Sequence, residues 1–113
     1  MAQGKSYEIE ISKSALHRYQ EEVLPYLIHN FSLQRALEIE ADIENTVQSL
    51  ALFPSRGTKE KYLQNEKEEF RFVLHRETSN FELKIIYFIQ EKGLKVYVTD
   101  FFPTRINPVR IRH

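Results

Sequence analysis

The first pattern in the chain is an alternation of apolar and acidic side chains over residues 7–11. A period of two predicts a β-strand with one buried face. Ser12 or Ser14 then stands where a helix N-cap is expected. Apolar residues follow at helical spacing, namely Ala15, Leu16, Tyr19, Val23 and Leu27. Because Pro25 lacks the N–H that a helix needs, we expect a kink near Leu24 or a break where Pro25 opens a second short helical piece.

A second helical pattern follows Ser32, which is a plausible N-cap. Its apolar stripe consists of Ala36, Ile39, Ile43, Val47 and Leu50. The opposite side carries the acidic residues Glu38, Glu40, Asp42 and Glu44. Negative charge suits the first half of a helix, so we interpret these carboxylates as a solvated face rather than a metal site. Pro54 ends the helix, and residues 55–59 are predicted to be a loop.

From residue 70 onward the pattern indicates three strands. Phe70, Phe72 and Leu74 alternate with Arg71, Val73 and His75. A turn at residues 77–80 precedes a strand over residues 81–90, and the last strand is predicted over residues 94–102. Residues 91–93 form a hairpin in which Gly93 is expected to supply a positive φ. Strands joined by turns this short are antiparallel.

The element order is therefore β-α-α-β-β-β, in a single domain that spans residues 1–113. We predict an α+β fold in which two helices pack on one face of a four-stranded, mainly antiparallel sheet.

The amino-acid composition excludes several kinds of functional site. The 113 residues include no cysteine, which excludes a disulfide scaffold, a Cys-based zinc site and a thiol nucleophile. The four histidines do not have metal-ligand spacing, so we expect neither a metal nor a cofactor; they are His17, His29, His75 and His113. No apolar run approaches the ~20 residues of a membrane span, and the first residues lack an apolar signal core. We expect a cytoplasmic protein without a membrane partner.

The formal net charge is zero, but the charges are distributed unevenly. Residues 1–69 carry 8 Lys and Arg against 12 Asp and Glu, whereas residues 70–113 carry 8 against 4. The predicted helical half is thus acidic, and the half with three strands is basic. A net charge of zero therefore does not exclude an anionic partner.

Five segments resemble, in order and spacing, the RelE/ParE superfamily of bacterial type II toxins, which includes plasmid stabilisation proteins. They are YEIEISKSA at residues 7–15, LALFPSRG at 50–57, FRFVL at 70–74, FELKIIY at 81–87 and VTDFFPTRINP at 98–108. Together the segments span nearly the whole chain.

The resemblance implies one of two activities. RelE-like members cut mRNA in the ribosomal A site, and ParE-like members poison DNA gyrase. A cognate antitoxin neutralises both kinds, and the resemblance leaves open both a homodimer and a hetero-oligomer with the antitoxin. The implied partners are therefore an antitoxin and either gyrase or the ribosome with its mRNA.

If the chain is a metal-independent endoribonuclease, it needs a general base, a general acid and cations for the phosphate. The candidate residues are Arg71, His75, Arg76, Lys84 and Arg105. We expect Arg71 and His75 to share the face opposite Phe72, with Lys84 on that face too.

Each of these residues also has a purely structural interpretation. His75 can form local hydrogen bonds at the end of its strand, and Arg71 and Lys84 can be ordinary solvated residues. Arg105 lies between two prolines, which favours a fixed guanidinium, but a salt bridge to Asp100 is the alternative. For Tyr87 we favour core packing over catalysis.

Two departures favour the ParE-like interpretation. The Tyr or His-Tyr pair that many ribonucleolytic relatives use is missing after Arg105, and the helical half is acidic where ribosome-directed toxins are basic. We therefore favour a protein-binding inhibitor over a ribonuclease. A third alternative is a degenerate member that keeps only the scaffold for the antitoxin.

The residues predicted to bind the partner are Phe101, Phe102, Arg105 and Arg110. Two adjacent aromatic residues on a strand cannot both face the core, so we expect one ring to be exposed. The antitoxin is expected to add an amphipathic helix or a strand to exposed apolar surface.

Overall fold

A computed structural model describes residues 6–105 and residue 111, and it contains one five-stranded sheet with the order β1-β5-β4-β3-β2. The strands are β1 (Glu8–Ile11), β2 (Thr58–Lys59), β3 (Arg71–Thr78), β4 (Phe81–Gln90) and β5 (Lys95–Pro103). The α+β prediction is confirmed. The sheet has one strand more than predicted, because Thr58 and Lys59, in the predicted loop, pair with β3.

Strands β3, β4 and β5 form the predicted antiparallel meander. Strand β1 lies parallel to β5, with Ile9 opposite Val96 and Ile11 opposite Val98. The sheet is therefore mixed. Parallel pairing requires a long connection, and the helical segment that follows β1 provides the first part of one.

Two helices joined by a π-helical turn follow β1. Helix α1 (Lys13–Arg18) begins at Ser12, whose hydroxyl accepts the Ala15 N–H at 3.0 Å. The π turn (Tyr19–Val23) leads into α2 (Leu24–Asn30), and Pro25 lies in the first turn of α2. The expected break at Pro25 is absent, because the backbone remains helical at Tyr19, Val23 and Leu24. The π turn instead interrupts the α-helical hydrogen bonding just before the proline.

Helix α3 (Leu33–Ser49) begins at the predicted cap, because the Ser32 hydroxyl accepts the Arg35 N–H at 3.1 Å. Its predicted apolar stripe is buried, and three of the four acidic residues, Glu38, Asp42 and Glu44, are exposed as a solvated face. No helix in residues 6–105 is both long and apolar enough to cross a membrane.

The sheet is covered on both faces. The helices pack on one face, where their apolar stripes meet Leu83, Ile85 and Tyr87 of β4. A smaller cluster covers the other face, and it consists of Leu63, Phe70, Ile86, Phe102 and Ile111. We call these the helix-covered face and the outer face.

The β4–β5 hairpin turns differently from the prediction. The residue with positive φ is Leu94, at 50°, and Gly93 does not adopt this conformation. The N–H of Leu94 donates to the Glu91 carbonyl oxygen at 3.1 Å. A tight turn followed by one left-handed residue is a common hairpin connection, and here that residue comes one position after the glycine.

A buried ion pair joins α1 to β5. The Arg18 Nε donates to Asp100 Oδ1 at 2.6 Å, and both side chains are fully buried. Arg18 also contacts Glu22 at 3.2 Å, and its guanidinium carbon lies 5.1 Å from the centre of the Phe102 ring. The alternative in which Asp100 pairs with Arg105 is therefore wrong, because Arg18 reaches Asp100 from the neighbouring helix.

Replacing Asp100 with Asn should lower the free energy of unfolding by about 3–5 kcal/mol, because it removes the negative charge closest to a buried guanidinium. Urea unfolding followed by circular dichroism measures this loss. The matched control is Glu82→Gln, which breaks a pair with the exposed Arg76 and should cost about 0–1 kcal/mol. If Asp100→Asn does not fold, the double variant Arg18→Met with Asp100→Leu should restore folding. Equal losses in the two single variants would contradict the role of the pair.

Candidate functional site

The sheet separates the residues predicted to be catalytic. Arg71 and His75 lie on the helix-covered face of β3, opposite Phe72 as predicted, because their partners Tyr87 and Leu83 face the helices. Lys84 pairs with Leu74 and lies on the outer face. The expectation that Lys84 shares a face with His75 is therefore wrong, since side chains that are paired across two strands point to the same side.

His75 lies beneath α3 and forms hydrogen bonds through both ring nitrogens. Its Nδ1 is 2.9 Å from the Thr46 hydroxyl, and its Nε2 is 2.8 Å from a Glu77 carboxylate oxygen. Glu77 in turn accepts a hydrogen bond from Arg35 at 3.0 Å. The structural interpretation, with local hydrogen bonds at the end of the strand, describes this buried ring.

Arg71 and Tyr87 hold the loop that follows α3. The Arg71 guanidinium donates to the Gly57 carbonyl oxygen at 2.8 Å and contacts Glu69 at 2.9 Å. The Tyr87 hydroxyl donates to the Pro54 carbonyl oxygen at 2.5 Å and accepts the Gly57 N–H at 3.0 Å. Tyr87 is fully buried, which confirms its packing in the core. Gly57 is needed here, because a Cβ would lie 2.7 Å from the Phe72 carbonyl oxygen.

The two cations on the outer face are paired with carboxylates. Lys84 Nζ lies 2.7 Å from the buried Glu60 carboxylate and 4.4 Å from the centre of the Phe72 ring. Arg76 is largely exposed and contacts Glu82 at 2.8 Å. Lys84 is therefore not an ordinary solvated residue, because it joins β4 to the segment that covers this face.

Arg105 differs from the other four candidates. Its guanidinium is exposed and donates to the Asn80 side-chain oxygen at 3.2 Å. Within residues 6–105 no carboxylate forms an ion pair with it, whereas Arg71, His75, Arg76 and Lys84 each have one. A pocket of about 370 Å³ lies beside it, lined by Val23, Tyr26, Phe81 and Pro103, with Glu22, Asn80 and Glu82 completing the lining.

The expectation of an exposed aromatic ring at residues 101 and 102 is wrong. Phe101 faces the helices and Phe102 faces outward, but they are only 4% and 2% exposed. The reason is that the outer face has its own apolar cover, which includes Leu63 and Ile111. Arg110, the fourth predicted partner-binding residue, lies outside the described residues.

A groove between α1, α3 and β1 exposes apolar surface near the predicted partner-binding residue Phe101. Its volume is about 430 Å³. Ile11, Leu16 and Leu37 line it and are 42%, 47% and 57% exposed. Phe101 lies at its buried side, and Glu40 and Glu44 at its rim. We call this feature the helix groove.

The sequence contains a signal for the helix groove that the prediction did not use. Leu33, Leu37 and Ala41 recur every four residues along α3, beside the buried stripe. Such spacing places the three side chains on one side of a helix. An α-helix with a second apolar line next to its core stripe is typical of a helix that packs against another partner.

Strand β1 lies at the edge of the sheet and borders the helix groove through Ile11. The Glu8 N–H donates to the carbonyl oxygen of Leu94, just before β5, and the Ser12 N–H donates to that of Val98 in β5. The alternation of a parallel ladder then directs the backbone groups of Ile9 and Ile11 to the open edge. An extended segment added there would continue the sheet.

Tyr19 carries the main electrostatic feature of the helix groove. Its ring packs edge-on against Phe101, and its hydroxyl lies 3.4 Å from Glu40. Burial raises the pKa of the Tyr19 phenol above its usual value, and the carboxylates of Glu40 and Glu44 raise it further. The acidic rim thus adds to burial in disfavouring the phenolate, as it disfavours any anion in the groove.

Comparison of the chain with protein-family models, with curated proteins and with solved structures found no match. The RelE/ParE relationship therefore remains a hypothesis that rests on the five sequence segments.

The raised pKa of Tyr19 predicts a loss of stability at alkaline pH. The unfolded phenol ionises near pH 10 and the folded one above it, so unfolded chains release the proton first. The contribution of Tyr19 is thus complete below pH 10 and decreases by about 1 kcal/mol per pH unit above it. Tyr19→Phe should flatten the decrease between about pH 10 and 11 in urea unfolding experiments.

The control for this prediction is Glu40→Gln. It removes one carboxylate but leaves the burial, which is the largest cause of the shift. Its pH profile should therefore lie between those of the unaltered chain and Tyr19→Phe. Superimposable profiles for all three proteins above pH 10 would show that Tyr19 does not titrate with folding.

Proposed function

We propose that the chain is the toxin of a bacterial type II toxin–antitoxin pair and acts as a ParE-like inhibitor that binds protein, with DNA gyrase as the target class. The β-α-α-β-β-β order, which supports the resemblance together with the five segments, agrees with the fold apart from the added short strand β2. A toxin of this kind acts in the cytoplasm.

The observation that carries the choice of a binding inhibitor is the placement of the candidate catalytic residues. Arg71 and His75 lie on one face of the sheet and Lys84 on the other. Cleavage of RNA needs a base, an acid and phosphate-binding cations around one phosphodiester. Groups that a sheet separates, each paired with a carboxylate, do not favour that chemistry.

One observation favours the second candidate, a RelE-like metal-independent endoribonuclease. Arg105 is exposed and forms no ion pair within residues 6–105, so it is able to meet a phosphate. It would act without the other four candidates, which makes this the weaker proposal. A degenerate, non-toxic member is the third.

The helix groove is our proposed surface for the antitoxin. Its exposed leucines and isoleucine fit the apolar side of an amphipathic helix, and its acidic rim fits Lys or Arg on the flanks of that helix. The open edge of β1 offers the place for an added strand beside it. We therefore propose the helix groove as the antitoxin surface, in place of an exposed ring at Phe101 or Phe102.

Two assays separate the proposed functions. The purified chain is added to a DNA supercoiling reaction that contains gyrase and, in parallel, to a translating extract. Trapped gyrase–DNA breaks with intact mRNA are the expected result. Cleaved mRNA that disappears with Arg105→Ala or His75→Ala would overturn the inhibitor in favour of the ribonuclease. Inactivity in both assays, with good expression in the absence of an antitoxin, would indicate the degenerate member.

Leu37→Glu should weaken neutralisation by the antitoxin, because it places a charge in the apolar part of the helix groove. The partner to use is the product of the open reading frame next to the gene. We expect at least about a tenfold weaker complex in a calorimetric titration, the cost of losing one central apolar contact at an interface.

The control for this variant is Ile28→Glu. Ile28 is as exposed as Leu37, at 59% against 57%, but it lies on α2 and does not line the helix groove. This variant should bind the antitoxin as the unaltered chain does. Equal affinities for the two variants would rule out the helix groove as the antitoxin surface.

A further inference from the structure

The pocket beside Arg105 has the features of a small binding site of its own. It lies at the opposite end of the π turn from the helix groove, and Val23, Tyr26, Phe81 and Pro103 give it apolar walls. Tyr26 and Phe81 stack with their ring centres 5.6 Å apart and hold one wall in place. We call this feature the Arg105 pocket.

The charges around the Arg105 pocket are not equivalent. Glu22 lies 3.2 Å from Arg18, which it shares with Asp100, and Glu82 lies 2.8 Å from Arg76. Arg105 donates to the neutral amide of Asn80. Among the residues that the structure describes, it is therefore the cation at this pocket that lacks a carboxylate.

We propose that the Arg105 pocket binds the C-terminal residue of a protein partner, with an apolar side chain in the cavity and the terminal carboxylate on the Arg105 guanidinium. A C-terminal residue carries both groups on a single Cα, so one residue can fill the pocket and reach the cation at its mouth. Guanidinium groups bind carboxylates through two parallel hydrogen bonds.

Other occupants fit this pocket less well. A phosphate chain would place several negative charges next to Glu22 and Glu82 and would leave the apolar walls unused. An internal acidic residue in an extended peptide points away from its apolar neighbour, because side chains alternate along a strand. The C-terminal residue is the occupant that uses both the walls and the cation.

The test uses defined peptides and the full chain, and it does not depend on the toxin assignment. The probe is the hexapeptide Gly-Ser-Gly-Ser-Ala-Phe with an acetylated N-terminus and a free C-terminal carboxylate. Binding is followed by ¹⁵N–¹H spectra, in which the amides of Asn80, Phe81 and Glu82 should shift. The same peptide with a C-terminal amide should bind about tenfold more weakly, the loss of one charge-assisted contact.

Variants locate the contact. Arg105→Gln should also reduce the affinity about tenfold, and it should remove the difference between the acid and the amide. Arg56→Gln is the matched control, because it changes an exposed arginine that likewise donates to a neutral group, the Ser49 hydroxyl, and that does not line the Arg105 pocket; it should leave binding unchanged. Arg105 is exposed, so its replacement should not affect folding, which a thermal melt verifies.

Three results would overturn the proposal. The first is equal affinity for the acid and the amide. The second is binding that Arg105→Gln does not weaken, and the third is no shift of the pocket amides up to about 1 mM peptide, where even weak complexes are populated. An amidated peptide with an internal Phe-Asp pair that binds as well as the free acid would show that the site takes internal acidic segments instead of a C-terminus.

Discussion

The ion pair between Arg18 and Asp100 constrains the rest of the structure. Both groups are fully buried, at 2.6 Å from each other. A buried charge is tolerated only if it is paired and hydrogen-bonded, so α1 and β5 must keep this distance in any folded state. Strand β1 pairs with β5 only as far as Val98, and Asp100 lies beyond the end of this pairing. The ion pair therefore fixes α1 against the middle of β5. The contact thus joins the helix layer to the antiparallel meander, to which β5 belongs.

The two surfaces that we assign to partners, the helix groove and the Arg105 pocket, lie at opposite ends of the π turn that follows α1. The π turn after Arg18 contributes Tyr19 to the helix groove and Val23 to the Arg105 pocket. A π turn widens the helix by one residue, and such turns are frequent at functional sites. Here it separates Tyr19 from Val23, so that a single segment supplies both surfaces.

Most of the local structure could be predicted from the sequence, because it follows from periodicity and capping. The caps at Ser12 and Ser32 and the buried stripe of α3 are of this kind. The parallel pairing of β1 with β5 could not be predicted, since the residues of β1 do not indicate which strand they pair with. The face of Lys84 and the burial of Phe102 depend on the register of β4 and on the cover of the outer face by residues far away in the chain. The spacing of Leu33, Leu37 and Ala41 indicates a second apolar line on α3. This line can be recognised as a binding surface only when the buried stripe of the same helix is known.

Charge explains why the candidate residues differ in what they can bind. The net charge of zero conceals a chain in which most of the candidate cations already face a carboxylate: Arg71 meets Glu69, Arg76 meets Glu82 and Lys84 meets Glu60. These pairs reduce the positive charge that the three positions offer to a nucleic acid, whose binding depends on cations free to replace counterions. At the two proposed surfaces, the charges that form no ion pair within the described residues are Glu40 and Glu44 at the rim of the helix groove and the guanidinium of Arg105. They have opposite signs and each borders an apolar surface, which is the combination that favours protein segments over polyanions.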